Sequence, residues 1–518
     1  MRKFLRFLFT RVFWVGIICL AQIALLTGLI IAFSQLSWQI GITFYAIMEV
    51  ISIILMIYVV SVKGNVAYKV SWLFFIGAIP MIGAVIYLLF GDKRISKRKQ
   101  KKMAPIVSSL KESIYNTKQI EKVSEENIDA ARMSTYIFHT VGIPLFSNTE
   151  AQYFSLGDDA WPVMLDELKK AKHYIFLEYF IIAEGKVWTS ILDILKQKAK
   201  EGLDVRVFYD DFGSVTTVKS NLPKTLEKCG IKCLAYNRIK PVLDIKMNNR
   251  NHRKLLIIDG HTGFTGGINL ADEYMNLKQR FGHWKDNCIM IKGEAVWGMT
   301  SMFLSVWDYS YHNTHEDFSQ FHYDIYANEL DHIPQSSGYI QPYTDYPFDK
   351  EAVSETIYLN MINRAKKYIY ITTPYLIISS EMTIALTSAA KSGVNVVLLT
   401  PHIPDKPTVF SATRSYYRDL LEGGVKIYEY TPGFVHSKMF IVDDIFGTVG
   451  TANLDYRSLF LHLECGCFIY DHPVLKDMKL DFEKSIQISQ QWTFVDFKNI
   501  PLHKRIYWAL LRLFAPLM

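Results

Sequence analysis

Apolar residues are distributed along this chain in two different ways. Up to residue 90 they form long runs at 13–34, 40–62 and 70–90; the first and third carry no charge and the second only Glu49. A membrane-crossing helix takes ~20 apolar residues, so each run is a candidate span and residues 1–92 read as membrane segments. Three such runs in succession do not fit buried core helices. A cleavable signal is excluded as well, because apolar sequence continues well past the usual length. The third run holds Pro80 near its centre with Gly77 and Gly83 nearby. That composition weakens a straight helix, so this run reads as a re-entrant or tilted hairpin.

Further on, short apolar runs alternate with helical stretches. The segment 171–182 (AKHYIFLEYFII) resembles 365–376 (AKKYIYITTPYL). A helical stretch, a glycine and a second apolar run follow each, at 202–210 and 393–400. Then come 226–230 (LEKCG) and 421–424 (LEGG). Matched points lie 194, 191 and 194 residues apart, and His252 and His436 lie 184 apart after about ten extra residues in the loop 237–251, the signature of an internal duplication. The alternation makes each half α/β. The expected layout is a polar, partly helical connector over 93–134, a first half over 135–312, a connection over 313–345 and a second half over 346–518. The chain closes on a basic amphipathic helix, 502–518, suited to the core surface or to a membrane interface.

Charge sharpens this picture. The formal net charge is +7, but residues 92–102 hold seven of the 57 Lys/Arg and one of the 50 Asp/Glu. The rest of the chain carries about +1, which argues against a nucleic-acid-binding body. The patch suits anionic headgroups. Arg2, Lys3, Arg6 and Arg11 form a second basic end. If the third run does not cross, both basic ends and the large domain face the cytoplasm. The six cysteines, Cys19, Cys229, Cys233, Cys288, Cys465 and Cys467, show no zinc-type spacing and read as thiols in a reducing compartment.

Candidate chemistry appears twice. His252, Lys254 and Asp259 form H-x-K-x-x-x-x-D, and so do His436, Lys438 and Asp443. Each copy continues to a Gly and an Asn, at Gly266 and Asn269 and at Gly450 and Asn453. On a strand, residues two apart point the same way, so each His projects with its Lys. The Asp has opposite parity and suits fixing backbone at the strand's end. Two such units brought together would hold two imidazoles, two ammoniums and two amides. That set fits a phosphodiester: Lys254, Lys438, Asn269 and Asn453 for the non-bridging oxygens, one His as nucleophile and the other as acid. The lysines neutralise the charge, so no metal is called for.

With these motifs the sequence resembles the phospholipase D superfamily and, within it, the bacterial cardiolipin synthases. Supporting matches are Trp72, Pro80, Gly83, Tyr87 and Gly91, together with 178–180 (EYF), 209–214 (YDDFGS), 283–286 (HWKD), 373–375 (TPY) and 450–458 (GTANLDYRS). Gly267 and Thr451 stand where the family often has Ser. The resemblance implies a duplicated phospholipase D-like domain behind N-terminal transmembrane helices, in a multi-pass membrane protein with no cofactor. It also implies phosphatidyl transfer between two phosphatidylglycerol molecules through a phosphohistidine, with His252 as the expected nucleophile and His436 as the acid. An acid should orient each His; the candidates are Asp286, 34 residues after His252, and Glu464, 28 after His436. A phospholipid hydrolase and a catalytically idle membrane scaffold are the alternatives.

Overall fold

The computed structural model describes residues 38–91, 117–239, 249–311, 316–327, 334–346 and 351–517, with residue 103 and scattered positions between 17 and 32. Most of the first apolar run and the basic patch lie outside the described residues. The chain forms two compact units, one of Met1–Ile95, Asn237–Asn249 and Arg512–Met518, the other of Ser96–Tyr236 and Arg250–Leu511.

In the first unit, α1 (Trp38–Ser61), α2 (Val66–Ala78) and α3 (Pro80–Phe90) follow one another. Within α1, Gly41–Ser61 is the one stretch among the described residues long and apolar enough to cross a membrane. Ile47, Ile53, Ile54 and Ile57 stand exposed along it, an uncovered apolar face. The run 70–90 does not form one helix. It breaks at Ile79, whose extended φ of −137° is what a residue before proline favours. Asn65 caps the start of α2 by accepting from the Ala67 and Tyr68 N–H groups. The Tyr68 hydroxyl donates to the Gly91 carbonyl (3.1 Å), and Trp72 meets Tyr87 edge-on at 5.2 Å, so α2 and α3 fold back as a hairpin. A Cβ on Gly83 would lie 2.5 Å from the Phe75 carbonyl oxygen, which explains the glycine at this close approach. At 13 and 11 residues the two helices reach only about 20 and 17 Å, short of a ~30 Å hydrocarbon core.

The second unit holds the duplication. Its first sheet is built from β1 (Thr149–Phe154), β2 (Tyr174–Tyr179), β3 (Asp204–Asp210), β4 (Lys232–Tyr236), β5 (Lys254–Ile258) and β6 (Thr262–Gly266); β7 (His283–Lys285) stands apart and β8 (Cys288–Gly293) completes it. The order is β1-β8-β6-β5-β2-β3-β4. The second half supplies β9 (Tyr339–Asp345), β10 (Tyr368–Thr372), β11 (Asn395–Pro401), β12 (Lys426–Tyr430), β13 (Gly433–Val435), β14 (Met439–Val442), β15 (Phe446–Gly450), β16 (Glu464–Tyr470) and β17 (Gln490–Trp492). Its order, β9-β16-β15-β14-β10-β11-β12-β17, repeats the first sheet strand for strand and adds β17 at the edge. In each, three strands joined through helices run parallel and the H-x-K strand pairs antiparallel beside them. Central strands such as β2 are buried along their whole length, hence their unbroken apolar runs.

Two expected boundaries move. The connection over 313–345 ends in β9, which pairs with β16 and belongs to the second sheet. The connector over 93–134 is folded at its end: the helix Ile128–Val141 runs past 134, buries Ile137 and Phe138, and its Asp129 pairs with Arg364 of the second half at 3.2 Å. Among the described residues the cysteines form no disulfide.

The halves meet directly. Gly433–Val435 pairs in parallel with His283–Lys285 across the boundary. A single bridge joins Asn251 to Leu463, and Thr265 Oγ1 lies 3.5 Å from Cys465 Sγ.

Candidate active site

The two H-x-K segments sit at this seam, and each is anchored by the opposite half. His252 N–H donates to the Leu463 carbonyl (2.9 Å), and His436 N–H to the Lys285 carbonyl (2.7 Å). This corrects the expectation that each His lies on a strand. The strands begin at Lys254 and Met439, because the histidine backbones are paired across the seam rather than into their own sheet.

The residue after each anchoring carbonyl is the acid. Glu464 holds His252 Nδ1 at 2.9 and 3.0 Å through its two oxygens, and Asp286 Oδ2 holds His436 Nδ1 at 2.7 Å. Both candidate acids are therefore in place, but crossed, each serving the histidine of the other half. With Nδ1 engaged, the nitrogen left for chemistry on each ring is Nε2.

The lysines lie in the same buried site. Lys254 Nζ donates to the His252 carbonyl at 2.6 Å, and Lys438 Nζ bonds the His436 carbonyl. Burial brings Lys254 down to about 8 and Lys438 down to about 7. It also pushes the His252 imidazole well below its ordinary value, helped by Lys254 and Lys438, and takes His436 to about 4. Burial would raise Asp286, but His436 and Lys438 outweigh it and hold the carboxyl below its usual range. Both imidazoles are thus neutral at rest, beside carboxylates ready to stabilise an imidazolium.

The motif aspartates do something else, identically in both halves. Asp259 accepts from the N–H groups of Lys172, His173 and Tyr174 at 2.7–2.8 Å. Asp443 accepts from those of Lys366, Lys367 and Tyr368 at 2.6–2.8 Å. Each ends its strand with φ near +50°, a left-handed conformation that Asp tolerates better than most residues. They fix the start of β2 and β10 instead of joining the histidines.

The asparagines are largely committed too. Asn269 Oδ1 accepts from Ile181 N–H and its Nδ2 donates to the Tyr274 hydroxyl, both at 2.9 Å. Asn453 Nδ2 donates to Asp455 Oδ2 at 3.0 Å, while its Oδ1 is buried without a partner. One amide hydrogen on each remains for a substrate oxygen.

Gly267 and Thr451 now have reasons. A Cβ on Gly267 would overlap Asp286 Oδ1, so the missing side chain is what admits the carboxylate. Thr451 Oγ1 donates to Glu464 Oε2 at 2.5 Å. Other contributors gave no signal in the motif. Trp284 Nε1 reaches Asp286 at 3.5 Å, Asn287 Oδ1 accepts from Lys438 N–H at 3.2 Å, and His462 stands 5.7 Å from the His252 ring. Among the described residues, the histidine and carboxylate atoms close enough together to hold a metal ion are those of His252, His462 and Glu464, within 4.8 Å of one another. Glu464 is already bonded to His252 and Thr451, and the Lys254 charge acts on the same carboxylate, so this set fits a dication poorly.

Residues 164–307 and 358–486 match the family described as cardiolipin synthase, PLD-like domain. The chain belongs to that family. The two matched stretches are the two halves of the duplication. Cardiolipin synthase 2 of Bacillus anthracis is 37% identical over 454 residues, covering 86% of each chain. Cardiolipin synthase 1 of Staphylococcus aureus is 36% identical over 463 residues, covering 86% of this chain and 91% of that one. An uncharacterized protein of Streptococcus mutans is 39% identical over 464 residues, covering 89% of this chain and 99% of that one. The crystal structure of phosphatidylserine synthase from Haemophilus influenzae superposes with a TM-score of 0.56 at 15% identity, over 74% of this chain and 97% of that one, so the two share a fold.

Proposed function

We propose that this family member makes cardiolipin by moving a phosphatidyl group from one phosphatidylglycerol to another. The observation that carries the reading is the pair of crossed histidine–carboxylate couples sharing one buried site with two lysines. His252 Nε2 attacks the donor phosphorus and the bond from phosphorus to the headgroup glycerol breaks. The bound donor phosphate, an anion, draws a proton onto His436 Nε2, and His436 as imidazolium gives that proton to the leaving oxygen. The headgroup hydroxyl of a second phosphatidylglycerol then attacks the phosphohistidine, its proton passes to His436, and the P–N bond breaks to restore His252. Lys254 and Lys438 stabilise the charge on the non-bridging oxygens, with the remaining amide hydrogens of Asn269 and Asn453 beside them.

The surroundings of the two rings support this division. His436 lies among the rings of Tyr274, Trp284 and Phe434 at 5.4, 5.6 and 5.9 Å, and the charge and hydrogen bond of Asp286 favour its protonated form. His252 has Phe180 at 4.9 Å and a second imidazole, His462, which suits a ring that acts neutral. Asp259 and Asp443 keep the scaffold in register.

The first unit supports a reading of the membrane placement. The α2–α3 hairpin is too short to cross, which supports two full spans, a cytoplasmic N-terminus and a cytoplasmic basic patch on anionic lipid. The layout of 1–92, 93–134, 135–312, 313–345 and 346–518 is kept in outline, with the helix Ile128–Val141 crossing the bound at 134 and β9 assigned to the second half. Membranes containing the protein and labelled phosphatidylglycerol test the reading. Cardiolipin and glycerol are the expected products; phosphatidate alone, or no turnover, would contradict it.

A further inference from the structure

The segment between β15 and β16 is unusual in its polar bookkeeping. His462 is nine-tenths buried, yet both its ring nitrogens lack a hydrogen-bond partner. In the same segment Asn453 Oδ1, Arg457 Nε and Ser458 Oγ are also buried without partners. Buried polar groups are nearly always bonded, because an orphan forfeits its hydration without replacement. Four residues within ten positions thus carry unpaired buried polar atoms, and two of them, Asn453 and His462, lie in or beside the active site.

The chemistry of the orphans says which partner they suit. The Asn453 orphan is its amide oxygen, since its NH2 faces the Asp455 carboxylate, which only accepts. A neutral imidazole offers one donor and one acceptor, and burial takes His462 to about 3, which keeps it neutral. Phosphate oxygens want donors only. Donor and acceptor positions side by side suit hydroxyl groups, which give one hydrogen and take another. The first half differs at the equivalent point, where the Asn269 oxygen is already bonded to Ile181 N–H.

His462 also stands beside the reacting couple. Its ring is 5.7 Å from that of His252, and its Nδ1 is 3.7 Å from Glu464 Oε1, the carboxylate that orients His252. The headgroup oxygen itself faces His436, opposite His252, and the remaining hydroxyls of the short polyol are the groups that would turn back toward His462.

We propose that the segment Thr451–Leu463 forms a polyol subsite in which His462 binds a hydroxyl of the headgroup glycerol, selecting glycerol-bearing acceptors over water and simple alcohols. This rests on the phosphatidyl-transfer reading above. Sites built to bond a hydroxyl discriminate strongly against partners lacking it, because their polar atoms are then stranded.

The test uses the full-length protein in phosphatidylglycerol vesicles, with labelled free glycerol and ethanol as competing acceptors. The readout is the ratio of labelled phosphatidylglycerol to phosphatidylethanol. In His462→Ala this ratio should fall about tenfold or more. His462→Asn, which keeps a donor and an acceptor, should recover part of it and guards against a folding defect. A ratio equal to wild type in His462→Ala overturns the subsite. So does equal loss of both products in both variants, which would mean a structural role. If the wild-type protein makes no cardiolipin the phosphatidyl-transfer reading fails; if it does and the ratio does not move, only the subsite fails.

Discussion

The two halves place a histidine in matching backbone positions and then surround it differently. In both, the histidine N–H is bonded to a carbonyl of the opposite half, and the next residue along is the acid that holds Nδ1. The acid of His436 is Asp286, fixed by its Asn287 N–H and by Trp284, with aromatic rings around the couple. The acid of His252 is Glu464, fixed by the Thr451 hydroxyl, with His462 behind it. Duplication supplied the geometry, and divergence of the surrounding residues gave the two imidazoles different tendencies to carry charge.

The comparison can be broken most severely at the acids. Glu464→Gln and Asp286→Asn keep the shapes but remove the negative charge, and each should lower cardiolipin formation by about 100-fold or more. The pairs are crossed, so Glu464→Gln damages the chemistry of a histidine 212 residues away rather than that of His436. Next come the positions that differ. Gly267→Ala forces a methyl against Asp286 and should approach the loss in Asp286→Asn, whereas Thr451→Ala removes one charged hydrogen bond and should cost about tenfold in kcat/KM.

A smaller effect sharpens the electrostatics. Lys438 titrates at about 7 and Lys254 at about 8, and only their protonated forms stabilise a phosphate. For the free enzyme the lysine contribution to kcat/KM is therefore full below about 7 and is lost as pH rises through 7 and then 8. The kcat limb should lie higher, because bound phosphate favours the ammoniums. The smallest difference is expected where the halves are alike. Asp259→Ala and Asp443→Ala each strand three backbone N–H groups and should lower stability by similar amounts, about 2 kcal/mol or more, read as matched shifts in thermal melting.

Much of this could be read in the chain. The offsets between 171–182 and 365–376 and between the LEKCG and LEGG turns revealed two equivalent halves, and the sheet orders agree strand for strand. The parity of Asp259 and Asp443 placed them at strand ends, where they cap backbone. Pro80 with its glycines marked the break in the third apolar run. What sequence could not show is anything that crosses the seam. Asp286 and Glu464 were selected by spacing within their own halves, and spacing carries no information about which histidine each carboxylate meets. His462 was invisible for the same reason, since a lone histidine in LHLE is unremarkable until Glu464 and His252 stand beside it. The start of β9 inside the connection was hidden by its polar neighbours.

The central claim is that one site is assembled from two crossed halves, with His252 bonding phosphorus and Glu464 of the other half orienting it. It is tested most directly by mapping the covalent adduct. Full-length wild-type and Glu464→Gln proteins are mixed with phosphatidylglycerol vesicles, quenched at alkaline pH, and their peptides are sequenced by mass spectrometry as a function of time. The account predicts an adduct on His252 that forms much more slowly in Glu464→Gln. An adduct on His436, or one on His252 that forms at the wild-type rate in Glu464→Gln, would contradict it.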